Sequence, residues 1–186
     1  MKRIVIGLVA AALLAVSVAA SAQATVRAMF FWEDEWSFTE DCGFDVDVTG
    51  SAEGLLVLRE GKNKIKGTFP VMNRFSYRET WRNPENGQWF VIRGQGLFIE
   101  VEATHVEGSI FEFRWVEAGQ PFVVEDSDGK VVERNTGSVH ATFLFDTEGD
   151  DIPGGIYLTD DDVIRVAGPH PSLEKHPCEY AVELIG

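Results

Sequence analysis

Hydrophobic and polar positions alternate through most of this chain, most sharply in its middle. Leu97, Ile99, Val101 and Ala103 are interleaved with Glu100, Glu102 and Thr104; after Gly108, Phe111, Phe113 and Trp115 are interleaved with Glu112 and Arg114. A period of two belongs to a β-strand with one apolar and one wetted face, so Trp89 to Glu117 predicts two neighbouring antiparallel strands. On this pattern Glu100, Glu102 and Glu112 form an outer row, available for cross-strand pairing with Arg74, Arg78 and Arg82 of the preceding hairpin.

The same rhythm extends both ways. From Val26 to Glu40 the chain is aromatic and acidic together, and Glu33-Asp34-Glu35 predicts a bend or bulge between two short strands. The aromatics there suit core packing, with a carbohydrate-stacking patch as the sharper reading. Phe44, Val46 and Val48 mark a strand, and Leu55 to Arg59 a short apolar run ending at Gly61-Lys62-Asn63. Lys62 to Lys66, a local basic cluster, reads as a solvated loop. Phe75, Tyr77 and Trp81 share a face before the turn Asn83 to Gly87, and Trp89 begins the return strand. Gly94-Gln95-Gly96 fits either a tight turn or a bend within one long strand. Asp126 to Gly129 is a hairpin turn between Phe122–Glu125 and Val131–Arg134. Val139, Ala141, Phe143 and Phe145 alternate in another strand, and Ile156 to Leu158 and Val163 to Val166 are two more. Pro169-His170-Pro171 forces an extended turn, Ser172 to Lys175 fits one helical turn, and Cys178 to Ile185 reads as a closing strand.

Roughly ten short strands joined by hairpins predict an all-β fold: a single-domain antiparallel β-barrel of meander, calycin-like kind over residues 25–186, with a β-sandwich as the alternative. An outer-membrane barrel has the same period with its faces reversed. The apolar rows here carry bulky Phe and Trp throughout rather than mainly in interfacial girdles, which favours the water-soluble form.

The beginning of the chain changes the picture. Lys2 and Arg3, an apolar run from Ile4 to Ala20 and the small-residue site Ala22-Gln23-Ala24 make residues 1–24 a secretory signal peptide. The run is shorter than the roughly 20 apolar residues a membrane span needs, so no membrane insertion is expected after cleavage. The product is expected to be secreted, extracellular and acidic: the net charge is −14, and the leader removes two basic residues but no acid. Such a field excludes a nucleic-acid partner. In an oxidising compartment the two cysteines, Cys42 and Cys178, are expected to form a disulfide, because they have neither metal-ligand nor CxxC spacing.

Motifs for chemistry are sparse. The four histidines lack HExxH spacing, and there is no GxSxG elbow. The Asp126 turn fails the register of an EF-hand, and the carboxylates from Asp146 to Asp151 read as a solvated connection ahead of calcium binding. No metal or other cofactor is implied. Aromatic rows inside a barrel can line a small apolar ligand, which singles out Phe75, Tyr77, Phe111, Phe113 and Trp115, with His105 at the rim as a hydrogen-bonding or acid–base group.

Asp41-Cys42-Gly43-Phe44, the Asn83 to Gly87 hairpin, the Asp126 to Gly129 hairpin and Cys178 shortly before Ile185-Gly186 together resemble a group of uncharacterised secreted, β-rich proteins of actinobacteria. The resemblance implies export and a β fold, and supplies no active-site residues. Three functions are compatible with the residues. The first is a non-enzymatic binding module for a small apolar molecule. The second is a structural protein with a filled barrel that meets a cell-surface component. The third is a barrel isomerase or hydrolase.

Overall fold

A computed structural model describes residues 26–60, 68–150 and 152–186. The proposed leader and the basic cluster Lys62 to Lys66 lie outside the described residues. Among the described residues the chain forms nine strands: β1 (Val26–Asp41), β2 (Asp45–Arg59), β3 (Val71–Arg82), β4 (Trp89–Glu107), β5 (Ile110–Glu125), β6 (Val131–Arg134), β7 (Gly137–Asp146), β8 (Ile156–Tyr157) and β9 (Asp162–Ala167). A 3₁₀ turn, Pro171–Leu173, and a helix, α1 (Pro177–Ile185), follow. All strand pairs are antiparallel, and the sheet runs β1-β2-β3-β4-β5-β7-β8, with β6 paired to one end of β5 and β9 to β7. Among the described residues, β1 forms no ladder with β8 or β9. The fold is therefore all-β in its sheet, as the alternation predicts, with the two sides of the meander left unpaired to each other.

The strands are longer than the sequence pattern predicts. Glu33-Asp34-Glu35 does not divide the first strand: β1 pairs with β2 without interruption from Ala28 to Asp41. The reason lies across the ladder, where Trp32 stands opposite Gly54 and Trp36 opposite Gly50. A Cβ at Gly54 would sit 2.5 Å from the Trp32 indole, so each ring lies down on a glycine and the ladder continues beneath it. Trp32 Nε1 donates to Asn73 Oδ1 and Trp36 Nε1 to Glu79 Oε1, each at 3.1 Å, which ties both rings to β3. Gly94-Gln95-Gly96 takes the second of its two forms, a bend inside one strand, with Tyr77 opposite Gly94 and Phe75 opposite Gly96. The Pro121 carbonyl closes so tightly on Gly94 that any side chain there would collide with it.

One bulge matters more than any turn. Between Glu100 and Glu102 the β4–β5 register shifts: Glu100 stands opposite Trp115, yet Ala103 stands opposite Phe113 and His105 opposite Phe111. Facing residues of an antiparallel pair project to one side of the sheet. Phe98, Glu100, Ala103 and His105 therefore share the face of Phe111, Phe113 and Trp115, and Val101 is the extra residue, 46% exposed. The regular alternation from Ile99 to Ala103 conceals a change of face. Glu100 leaves the expected outer row, whose pairing also differs from expectation: Arg114 meets Glu102 at 2.8 Å, while Arg78 and Arg93 meet Glu125.

This face carries two cores. At one end Val46, Val48, Trp81, Phe90, Ile92, Phe122 and Val124 are covered by Tyr180, Ala181 and Ile185 of α1. At the other end Phe111, Phe113, Trp115, Val139, Ala141 and Phe143 pack together. The expected closing strand from Cys178 to Ile185 is this helix. Pro177 occupies its first turn, the His176 side chain accepts from the Cys178 N–H, and Glu179 accepts from the His176 N–H to complete a capping box. At its far end Asn83 Nδ2 and Asn86 Nδ2 both donate to the Ile185 carbonyl at 2.9 Å. A Cys42–Cys178 disulfide, as expected from the cysteine count, fastens the β1–β2 turn to the start of the helix.

Candidate functional site

In a flat sheet neighbouring strands stand about 4.8 Å apart, so β2 and β7, four places apart, would be separated by roughly 19 Å. Here Leu58 of β2 and Val71 of β3 line the same cavity as Phe143 and Phe145 of β7, which requires the sheet to curl strongly at this end. The cavity has a volume of about 360 Å³ and opens on the concave face. Phe69, Phe113, Gly154, Gly155 and Tyr157 complete its apolar wall with Pro153, and Glu100 supplies its carboxylate.

The wall is an aromatic cluster with defined geometry. Phe113 and Phe143 stack with centroids 5.5 Å apart, and Phe145 meets each edge-on at 5.7 and 6.2 Å. Tyr157 lies 4.9 Å from Phe143 and 5.0 Å from Phe145, although most of its own surface faces solvent. Such contacts add about 0.5–1.5 kcal/mol per pair beyond area burial, so the wall is braced by itself as well as by the sheet. Gly155 permits the β7–β8 connection to pass close over Phe145 and the Asp146 carbonyl, where its φ of 138° and the near contact exclude a larger residue.

Glu100 is the chemically unusual group. Its Oε2 accepts from the Val71 N–H at 2.8 Å. Burial nevertheless dominates that bond and pushes the carboxyl up to about 7. Tyr157 feels Glu100 and Asp161 in turn: burial first, then these two charges, raise its hydroxyl. Asp161 is itself fixed by the Trp115 indole, whose Nε1 donates to Oδ1 at 2.9 Å. The cavity thus presents an apolar surface and one carboxyl group that exchanges its proton around neutrality. Such a group holds or releases a proton, accepts a hydrogen bond, or balances a positive charge. Among the described residues no three His, Cys, Asp or Glu side chains converge as metal ligands.

The residues singled out by sequence fall in three places. Phe111, Phe113 and Trp115 lie together in the core at this end, Phe113 in the cavity wall itself. Phe75 and Tyr77 share the face but lie at mid-sheet, outside the cavity; the Tyr77 hydroxyl donates to the Pro121 carbonyl at 3.0 Å and is raised by burial and by Glu79 and Glu117. His105 stands at the exposed end of β4 with its ring edge-on to Phe111 and Nε2 3.0 Å from the Gly108 carbonyl oxygen. The cavity residues that sequence reasoning passed over are Leu58, Phe69, Val71, Glu100, Phe143, Phe145 and Tyr157, with the connection Pro153 to Gly155. Phe143 and Phe145 carry the strand period but no sign of a cavity, and Glu100 is hidden by the bulge.

Comparison with protein-family models, with curated proteins and with solved structures finds no match to this chain.

Proposed function

We propose that this is an exported, non-enzymatic binding protein whose sheet curls into an open barrel around a small apolar ligand. The single observation that carries this reading is the cavity of about 360 Å³ shared by β2, β3, β4, β5 and β7, walled by stacked Phe rings. That volume lies in the range of small-molecule sites, and an apolar wall with one or two polar groups is their usual composition. The disulfide and the leader-like start support export, since such bonds persist outside the reducing cytosol. The barrel form is supported by the curl that brings Leu58 to Phe143 and by α1, which seals the opposite end of the concave face.

Native mass spectrometry of protein recovered from its own host tests the reading. A co-purifying small molecule is expected, lost from a Leu58→Trp variant that fills the cavity and retained by Phe31→Ser at the far edge. An empty protein that no small apolar compound stabilises against heat contradicts it. A second reading, surface interaction, is favoured by Phe30 and Phe31 on the edge strand β1, whose outer side forms no ladder among the described residues and where Phe31 is 83% exposed. Phe31→Ser abolishing adhesion to host cells, with the cavity still empty, would select it instead.

A further inference from the structure

We propose that the ligand of the aromatic cavity is a small organic cation, an ammonium or other onium group carrying apolar substituents, and that Glu100 is its counter-ion. This deepens the binding function proposed above and rests on it. Three observations converge. First, the wall gathers Phe113, Phe143, Phe145 and Tyr157 into one cluster in which Phe113 and Phe143 stack on each other and Tyr157 is the exposed ring, and aromatic faces attract cations most strongly where water is excluded. Second, two carboxylates stand at the cavity: Glu100 lines it, and Asp161 approaches Tyr157 beside it. Among the described residues the lining contains no lysine or arginine, and the chain as a whole bears a net charge of −14, which draws cations towards it. Third, the rim already holds a cation on an aromatic face, for the Arg27 guanidinium lies 4.5 Å from the centroid of Phe69.

The groups that face Glu100 set its behaviour. The Val71 N–H on β3 favours the carboxylate, whereas burial outweighs it and leaves the carboxyl half-protonated near neutrality when the cavity is empty; Tyr157 on β8 is the titratable neighbour whose hydroxyl is raised in turn by Glu100 and by Asp161. A cation entering beside it stabilises the carboxylate and expels that proton. A neutral guest of the same shape does not.

Benzyltrimethylammonium and its uncharged carbon isostere neopentylbenzene are the probes, titrated calorimetrically into the full mature protein from pH 6 to pH 8. The cation is expected to bind at least about tenfold tighter than the isostere at pH 8, the difference being what a desolvated cation–aromatic contact and one ion pair supply. The preference shrinks at pH 6. Repeating the titration at pH 7 in buffers of different ionisation enthalpy should show release of about half a proton per cation bound, as expected for a carboxyl that titrates there. Glu100→Gln should remove the cation preference while neopentylbenzene still binds. If that variant fails to fold, the proton release of the unaltered protein decides. Equal or tighter binding of neopentylbenzene, or cation binding without proton release, overturns the inference but leaves an apolar binding site standing. Binding of neither probe overturns both.

Discussion

A carboxylate set among Phe and Tyr rings must lose most of its hydration, and one backbone N–H restores only part of it; Glu100 therefore keeps its proton to about pH 7 in the folded chain. The consequence for stability has a definite sign. A carboxyl whose folded value is raised binds more protons folded than unfolded, so its contribution is fully present below the ordinary glutamate value and declines as pH rises through 7. A tenfold difference in proton affinity between the folded and unfolded chain is worth about 1.4 kcal/mol, so the loss between pH 5 and pH 8 is expected to be on the order of 2–3 kcal/mol. Urea denaturation across this range should show the decline in the wild type and a flatter profile in Glu100→Gln. An unchanged difference between the two proteins would mean that Glu100 ionises normally. The same residue shows what the sequence conceals. Its neighbours alternate without a flaw from Ile99 to Ala103, so nothing in that stretch distinguishes a wetted glutamate from an inward one. The extra residue Val101 is visible only in the pairing with β5, a contact made across the β4–β5 hairpin.

At the scale of elements, the strands were legible because a period of two is enforced by the pleat itself, and their turns by Asn83 to Gly87 and Asp126 to Gly129. The last element was not. Cys178, Tyr180, Val182 and Leu184 alternate with Glu179, Ala181 and Glu183 as a strand would, while Tyr180, Ala181, Leu184 and Ile185 also fall on one face of a helix. Pro177 and the cap built from His176 and Glu179 decide between them, and Val182, 56% exposed, is accordingly left on the outer side. The merging of β1 into one strand was hidden for a different reason: the glycines that seat its tryptophans lie on β2. Gly54→Ala should therefore cost about 1–3 kcal/mol by forcing Trp32 off its seat, since the Arg74 carbonyl at 2.6 Å blocks the other direction. Thermal unfolding of that variant checks it, and an unchanged midpoint would show that the ring can move freely. The helix depends on its staple as well. With the two cysteines 136 positions apart in sequence, reduction is expected to remove about 5 kcal/mol on chain-entropy grounds. Denaturant unfolding with and without reductant measures the difference. A loss under about 1 kcal/mol would place the stabilisation of α1 in its packing on Trp81, Phe90 and Phe122 instead.

For the whole molecule, the long meander supplies one continuous apolar face, and what it does depends on how far that face closes on itself. At one end α1 fills it; at the other the curl leaves room between Leu58 and Phe143. The proposed cavity thus follows from an asymmetry of covering: a single helix at one end and only the short β7–β8 connection, with Gly154 and Gly155, at the other. Export belongs to this scale too. Intact mass of the protein from culture medium is expected to correspond to a chain beginning at Thr25, and recovery with residues 1–20 attached would refute it. The central claim is an open, ligand-holding cavity, and amide chemical-shift mapping with a neutral apolar probe such as neopentylbenzene tests it most directly. Saturable shifts confined to Leu58, Val71, Phe113, Phe143, Phe145 and Tyr157 are the expected result. No shifts, or shifts centred on α1 or on Phe30 and Phe31 of β1, would contradict it.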